Sequence, residues 1–156
     1  MALKVGDNAP NFTLFASDKT EVSLEDFKGQ KVVLLFFPLA FSGVCTTELC
    51  SLRDDIGAYE AMDAQVLAVS IDSFASLTKF KELEGYSFPL LSDFNKTVAP
   101  AYGAFYEEWV LGMKGVAKRS AFVIDQAGII KYAEVLESAG DIPNFEAVKE
   151  TLSSLN

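Results

Sequence analysis

Two cysteines, Cys45 and Cys50, are the strongest candidates for covalent chemistry in this sequence. A cysteine thiolate can act as a nucleophile, a redox centre or a metal ligand. The chain contains no histidine, which excludes Ser-His-Asp and Cys-His mechanisms and every metal site that uses imidazole. Two cysteines are also too few for a disulfide scaffold. A reactive cysteine in this chain must therefore be activated by groups other than histidine.

Cys45 follows the continuous apolar run VVLLFF at residues 32–37 and precedes a segment with helical periodicity. This order predicts that Cys45 lies in the first turn of a helix, where N–H groups lack intrahelical partners and the helix dipole favours an anion. Both effects favour the thiolate, the reactive form of the side chain. Pro38, Ser42 and Gly43 add a fixed backbone angle, a hydroxyl group and room for close approach, as a pocket for a polar oxygen substrate requires. The alternative is a buried cysteine that packs as a small apolar side chain.

The elements that must position Cys45 alternate between strands and helices. Apolar runs and turn residues predict strands at 11–16, 21–23, 31–37, 65–71, 89–91, 121–125 and 129–135. Helices are predicted at 44–60, 74–83 and 142–155, with a loop and a short helix at 93–102. This order predicts one α/β domain over 1–156, a thioredoxin-like fold whose central mixed β-sheet is flanked by helices and preceded by an N-terminal β-hairpin. A flavodoxin-like, doubly wound sheet is the alternative.

The composition indicates an acidic globular protein. Of 156 residues, 50% are hydrophobic and 22% are charged, which is sufficient for a core and argues against disorder. The formal net charge of −9 makes nucleic acids and anionic membranes unfavourable partners. Residues 1–10 lack the apolar run of a signal peptide, and no segment approaches the roughly 18 apolar residues of a membrane span. We therefore expect a cytoplasmic protein, without a metal or other cofactor.

Four segments match patterns of one known family, in the family's order. Pro38, Ser42 and Cys45 fit P-x-x-x-[T/S]-x-x-C, and residues 5–14 are similar to the opening G-x-x-A-P-x-F-x-L. Residues 88–93 read FPLLSD, and residues 119–130 are similar to R-x-x-F-[VI]-I-D-x-x-G-x-[IV]. The chain thus resembles the peroxiredoxins of the AhpC/TSA family. Its FFPLAF segment is most similar to the small alkyl hydroperoxide reductase E-like subgroup, with the bacterioferritin comigratory protein-like subgroup nearby. The resemblance implies a thiol peroxidase that reduces hydrogen peroxide and organic hydroperoxides.

The resemblance also implies roles for the charged residues near Cys45. The Cys45 thiolate would be the peroxidatic nucleophile and would become a sulfenic acid. Arg119 would stabilise the thiolate and orient the peroxide, and Glu48, one helical turn beyond Cys45, would hold the arginine. From the residues alone, a surface arginine is the favoured interpretation of Arg119, and Glu48 could equally be an exposed helix glutamate. Two other acidic residues, Asp72 and Asp93, end predicted strands and are interpreted as helix caps or loop residues.

Uncharged groups complete the implied site. Ser42, at a position where the family more often has threonine, would bind the peroxide with its hydroxyl. Pro38 would shield the thiolate, and the backbone N–H groups of Val44 and Cys45 would bind the peroxide or the leaving oxygen. The alternatives are a serine that belongs to a turn and a proline that ends a strand.

Cys50 has two interpretations. On an intact helix, Cys45 and Cys50 would point about 140° apart with Cα atoms ~8.6 Å apart, whereas a disulfide needs roughly 7 Å or less. The bond could form only if the first turns unwound. The resemblance to the bacterioferritin comigratory protein-like subgroup implies that these turns do unwind and that Cys50 is the resolving cysteine. A thioredoxin-like protein would then reduce the disulfide. We favour this interpretation. The alkyl hydroperoxide reductase E-like relatives imply one-cysteine chemistry recycled by an external low-molecular-weight thiol.

Other functions fit the sequence less well. A thioredoxin-type disulfide oxidoreductase normally uses C-x-x-C, whereas this chain has C-x-x-x-x-C. A cysteine phosphatase needs C-x5-R, and Arg53 lies too far beyond Cys45. A flavodoxin-like carrier or binding module is the non-enzymatic alternative. The resemblance implies a homodimer, with residues 39–41 (LAF) either in the interface or in the core.

Overall fold

The structure is a computed structural model that describes residues 3–155. A seven-stranded sheet contains β1 (Thr13–Ala16), β2 (Glu21–Ser23), β3 (Lys31–Phe36), β4 (Ala64–Ser70), β5 (Leu90–Ser92), β8 (Ser120–Ile124) and β9 (Ile130–Val135). A two-stranded sheet contains β6 (Phe105–Tyr106) and β7 (Val116–Ala117). The helices are α1 (Gly43–Asp54), α2 (Ile56–Ala61), α3 (Phe74–Glu84), α4 (Val98–Ala101) and α5 (Phe145–Ser154). Short 3₁₀ turns occupy Leu24–Phe27 and Val110–Gly112.

The strands of the large sheet follow the order β2-β1-β5-β4-β3-β8-β9. β3, β4 and β5 are parallel to one another, whereas the other neighbouring pairs are antiparallel. The mixed sheet, its flanking helices and the hairpin of β1 and β2 confirm the predicted thioredoxin-like fold. A flavodoxin-like sheet would be parallel at this position, so the antiparallel pairing of β3 with β8 shows that the alternative is wrong.

β3 is buried along its whole length and separates two hydrophobic layers. Val33 and Leu35 belong to the layer that includes α1, α3 and α5, whereas Val32, Leu34 and Phe36 belong to the layer that includes α4. Alternate residues of a strand point to opposite faces, so a strand covered on both faces requires an uninterrupted apolar run. The carboxyl end of β3 leads into the loop before α1, which places the candidate nucleophile at this edge of the sheet.

One predicted helix is two helices in the structure. The segment expected at 44–60 divides into α1 and α2 because Asp55 leaves helical geometry, with φ −113° and ψ 13°. Aspartate and glycine are weak helix formers, and residues 54, 55 and 57 are of these types. The interruption lies well beyond Cys45 and leaves the first turn of α1 where the sequence predicts it.

The other differences are at the ends of elements. β1 begins at Thr13 rather than at residue 11. α5 begins at Phe145 rather than at residue 142, because Asn144 caps it by accepting the N–H of Ala147. The remaining predicted strands and α3 agree with the structure to within one residue at each end. The sequence does not predict β6 and β7, since strands of two residues show no periodicity. None of the helices in the described part of the chain is long and apolar enough to cross a membrane.

Candidate active site

The loop between β3 and α1 holds Cys45 in the first turn of α1. The helix begins at Gly43, after Ser42 in an extended conformation (φ −78°, ψ 150°). Phe41 has left-handed backbone geometry, with φ 69°, which is unfavourable for a bulky residue and is a feature of functional sites. Its ring packs against Phe80, with ring centroids 5.0 Å apart. The result is a Cys45 residue that is 0% exposed at the amino end of the helix.

Arg119 is the charged partner of Cys45. It immediately precedes β8, and the pairing of Ser120 with Phe36 brings it to the carboxyl end of β3. Its Nη2 donates to Cys45 Sγ at 3.1 Å, and Nη2 and Nε donate to Ala139 O at 3.1 Å and 3.3 Å. The arginine side chain is 2% exposed, so its interpretation as a surface residue is wrong. A fixed guanidinium beside the sulfur favours the thiolate by a charge-assisted hydrogen bond.

Glu48 completes a buried cluster with Cys45 and Arg119. Its Oε1 accepts Nη1 of Arg119 at 2.8 Å and the residue is fully buried, so its interpretation as an exposed glutamate is wrong. Burial raises the pKa of Glu48 to about 7, against the opposing charge of Arg119. Burial acts to lower the pKa of Arg119, but the charges of Glu48 and Cys45 outweigh it and raise that pKa. Oε2 of Glu48 has no hydrogen-bond partner among residues 3–155. The arginine thus stays charged, whereas the glutamate can take up a proton near neutral pH.

The uncharged residues that the sequence predicts for the site lie on the loop before α1 and in its first turn. The Ser42 hydroxyl is half-buried and donates to Leu39 O at 3.0 Å. Pro38 is buried in the loop after β3, and Val44 is half-buried in the first turn of α1. The first N–H groups of a helix lack intrahelical acceptors, so those of Val44 and Cys45 can donate to an anionic oxygen. The Ser42 hydroxyl and these N–H groups therefore belong to the same loop and helix end as Cys45, whose sulfur accepts from Arg119.

Asp72 anchors this loop, a role that the sequence analysis missed. It follows β4, the neighbour of β3, and its Oδ2 accepts the N–H of Ala40 at 2.8 Å and the hydroxyl of Ser70 at 2.7 Å. The cap of α3 is Ser73, whose hydroxyl accepts the N–H of Ser76. The signal available in the sequence was a carboxylate at the end of a strand beside the reactive loop, where α/β proteins build their sites.

Asp93 has the structural role that the sequence predicts. Its buried carboxylate accepts the N–H groups of Thr97, Val98 and Ala99 at the start of α4. The acceptor of Arg119, Ala139 O, has no sequence signal because a backbone carbonyl requires no particular side chain. In the described part of the chain, no group of three or more cysteine, aspartate or glutamate side chains could hold a metal ion.

Cys50 lies further along α1 in different surroundings. Its half-buried thiol donates to Oε1 of Glu84 at 3.4 Å and lies 3.5 Å from the hydroxyl of Tyr86. Both cysteines are free, and α1 is continuous through both, so their Cα atoms remain about 8.6 Å apart, as in an ideal helix. Glu84 and Tyr86 are 34 and 36 residues away in sequence, and nothing in their local sequence indicates this contact.

Comparisons with known proteins give one consistent result. Residues 5–133 match the AhpC/TSA family. The chain is 38% identical over 156 residues to alkyl hydroperoxide reductase E of Mycobacterium tuberculosis, with 98% of both chains covered. It is 37% identical over 132 residues to peroxiredoxin Bcp of Escherichia coli, with 83% of this chain and 84% of the other covered. The crystal structure of peroxidoxin BcpB from Mycobacterium tuberculosis matches with a TM-score of 0.87 and 29% identity, over 99% of each chain.

Proposed function

Because the chain belongs to the AhpC/TSA family and is a peroxiredoxin, an enzyme that reduces peroxides with a cysteine thiol, we propose that Cys45 is its peroxidatic residue. The observation that carries this proposal is the 3.1 Å hydrogen bond from Arg119 to Sγ of the fully buried Cys45. The thiolate attacks the terminal peroxide oxygen and the O–O bond breaks. The departing oxygen takes a proton and leaves as water or an alcohol, and Cys45 becomes a sulfenic acid.

Arg119 supplies the electrostatic stabilisation of this step. Negative charge moves from the sulfur to the departing oxygen, and a guanidinium that lies beside both stabilises it throughout. Hydrogen bonds to Glu48 and to Ala139 O hold the guanidinium in place before substrate arrives. The group therefore needs little reorganisation when the peroxide binds, which is the condition under which such stabilisation is largest.

The loop residues bind and enclose the peroxide. The Ser42 hydroxyl turns from Leu39 O toward the substrate, and the N–H groups of Val44 and Cys45 donate to its oxygens. Pro38 shields the sulfur from water. Because Cys45 is 0% exposed, a peroxide can reach the sulfur only when neighbouring side chains move. The loop therefore controls access as well as binding.

We further propose that Cys50 resolves the sulfenic acid. Its thiol displaces the hydroxyl of Cys45 after the first turns of α1 unwind, and the product is a Cys45–Cys50 disulfide. A thioredoxin-like protein then reduces the disulfide. A polar setting for the Cys50 thiol, with Glu84 at 3.4 Å, supports this role over that of an inert helix cysteine. In the one-cysteine alternative, an external low-molecular-weight thiol reduces Cys45 directly.

The enzyme is proposed to act as a single-domain homodimer in the cytoplasm. Phe41 of the active-site loop is 52% exposed, and Phe15, Phe74 and Phe94 are also large exposed apolar side chains. Such surface is typical of an interface between subunits. Free thiols that cycle through a disulfide need a reducing compartment, which favours the cytoplasm. Light scattering on the reduced protein measures its mass in solution, and a monomer at micromolar concentration would contradict the dimer.

The central experiment compares wild type, Cys45→Ser and Cys50→Ser after one equivalent of hydrogen peroxide. Intact mass and thiol counting follow the products. Wild type should lose two thiols and two hydrogens, Cys50→Ser should gain one oxygen at Cys45 at the same initial rate, and Cys45→Ser should leave the peroxide unconsumed. Peroxide consumption by Cys45→Ser at the wild-type rate would contradict the main proposal. A wild type that stops at one added oxygen would establish one-cysteine chemistry.

A further inference from the structure

Cys50 has polar partners that an inert cysteine would not need. The residue packs against the hydrophobic layer that includes α1, α3 and α5. Even so, its thiol donates to Oε1 of Glu84 at 3.4 Å and lies 3.5 Å from the hydroxyl of the buried Tyr86. A thiol is a weak donor that tolerates apolar surroundings, so packing alone does not require a carboxylate at this position. The contacts suit a thiol that must lose its proton.

We propose that Glu84 is the general base of the resolving step and accepts the proton of Cys50 as this thiol attacks the sulfenic acid of Cys45. The inference rests on the proposed function, in which Cys50 is the resolving cysteine. Glu84 touches the reacting sulfur, which is the geometry that general-base catalysis demands. The hydroxyl of Tyr86 lies beside the same sulfur and orients it.

The step is balanced within the protein and water. Cys50 Sγ attacks Cys45 Sγ, the S–S bond forms and the S–O bond of the sulfenic acid breaks. The proton of Cys50 passes to the Glu84 carboxylate, and the hydroxyl group of Cys45 leaves as hydroxide, which takes a proton from solvent and becomes water. The sulfur of Cys50 is oxidised from thiol to disulfide, and the sulfur of Cys45 is reduced from sulfenic acid to disulfide. Glu84 returns its proton to solvent and is ready for another cycle.

The contacts of Arg53 explain how Glu84 stays beside Cys50 while the helix unwinds. Nη1 of Arg53 donates to Glu84 O at 2.6 Å and lies 3.8 Å from its Oε1, which ties the second half of α1 to the end of α3. The first turn of α1 lacks a side-chain cap, since the Ser42 hydroxyl donates to Leu39 O instead. The unwinding therefore begins at the Cys45 end, and the sulfenic acid moves to a Cys50 that remains paired with its base.

The test measures both chemical steps in one turnover. Reduced wild type, Glu84→Gln and Glu82→Gln are mixed with one equivalent of hydrogen peroxide and quenched at short times by thiol alkylation. Intact mass then separates thiol, sulfenic acid and disulfide. Glu84→Gln keeps the size and a hydrogen-bond acceptor but cannot take the proton. The matched control, Glu82→Gln, removes the same charge from an exposed position on α3, 4.0 Å from Lys79.

We expect Glu84→Gln to form the sulfenic acid at the wild-type rate and to form the disulfide about 10- to 100-fold more slowly at pH 7. The defect should shrink as pH rises, because hydroxide ions then remove the proton, and Glu84→Asp should recover part of the rate. Glu82→Gln should match wild type in both steps. A normal first step also reports that the variant is folded.

Two results would overturn the inference, and they are distinguishable. If wild type forms the disulfide and Glu84→Gln forms it equally fast, Glu84 is not the base and the resolving role of Cys50 stands. If wild type itself stops at the sulfenic acid, the resolving role of Cys50 fails, and the role of Glu84 fails with it.

Discussion

Cys45 and Cys50 lie on the same helix, five residues apart, yet their partners carry opposite charges. The sulfur of Cys45 is 3.1 Å from the guanidinium of Arg119, whereas the sulfur of Cys50 is 3.4 Å from the carboxylate of Glu84. A cation stabilises the thiolate that attacks a peroxide, while a carboxylate accepts a hydrogen bond only from a protonated thiol. The two thiols have the same residue type and lie on the same helix. The comparison therefore teaches that their different chemical roles come from the charged residues that other elements bring to each sulfur.

Each cysteine lies near one arginine and one glutamate, but the residue that contacts the sulfur differs between the two sites. At Cys45 the arginine touches the sulfur and Glu48 lies behind it at 2.8 Å. At Cys50 the glutamate touches the sulfur and Arg53 lies behind it at 3.8 Å. The side chains of the first pair are 2% and 0% exposed, and those of the second are 33% and 30% exposed. Because water screens the second pair, charge changes there should have smaller effects than at the buried pair.

The largest expected effect follows from removing the buried arginine. Arg119→Met keeps much of the side-chain volume but leaves the sulfur without its cation, so the second-order rate of Cys45 oxidation should fall about 10²- to 10³-fold at pH 7. Arg53→Met should leave that first step within about twofold and slow only disulfide formation. Stopped-flow measurement of peroxide consumption, combined with quenched mass analysis, separates the two steps.

Removal of Arg119 also leaves the buried Glu48 without its partner, which can unfold the protein. The double variant Arg119→Met/Glu48→Gln removes this uncompensated charge and isolates the effect on chemistry. If circular dichroism shows that the double variant is folded and its Cys45 is still oxidised at the wild-type rate, the reactivity of Cys45 does not depend on Arg119.

The next test uses the pH dependence of stability that the buried Glu48 creates. Burial raises the pKa of Glu48 from 4.5 to about 7 in the folded protein, so the folded state binds more protons than the unfolded state between these values. The stabilising contribution of Glu48 is therefore complete below about pH 4.5 and is lost as pH rises through about 7. The free energy of unfolding of wild type should fall, relative to that of Glu48→Gln, by up to about 3 kcal/mol between pH 5 and pH 8.

Urea unfolding at several pH values measures this effect. The exposed Glu82→Gln variant is the matched control, and its stability should follow wild type across the whole range. Parallel stability curves for wild type and Glu48→Gln would contradict the raised pKa of Glu48, since they would show that Glu48 is ionised in the folded protein throughout this pH range.

The sequence predicts the fold and the Cys45 region well because their determinants are local. The uninterrupted apolar run of β3 predicts a strand covered on both faces, and residues 38–48 carry most of the site within one loop and one helix. Arg119 is the exception, since nothing in its local sequence separates it from a surface arginine. Its role was predicted only through resemblance to a family, and its burial comes from the pairing of β8 with β3.

The surroundings of Cys50 could not be predicted, because tertiary packing creates them. Gly85 ends α3 in left-handed geometry, with φ 69°, and this turn presents Glu84 and Tyr86 to α1. A glycine can adopt this conformation without strain, but the sequence does not show which helix the turn will face. The contact that Asp72 makes, as a loop residue, could not be predicted for a similar reason. Its position at a strand end was clear, but its bond to Ala40 depends on a loop 32 residues earlier.

The smallest effect that we predict concerns Asp72, which acts on Cys45 through the backbone. Asp72→Ala removes the acceptor of Ala40 N–H, two residues before Ser42, so the loop should move relative to the sulfur. Small displacements of positioned groups slow reactions, and we expect the rate of Cys45 oxidation to fall about tenfold. Asp72→Asn keeps an acceptor oxygen and should recover most of the rate. Disulfide formation should be unchanged in both variants, because the contacts of Cys50 are to Glu84 and Tyr86 and do not include Asp72 or Ala40. Equal slowing of both steps would instead indicate a general loss of structure and would remove Asp72 from the Cys45 side of the comparison.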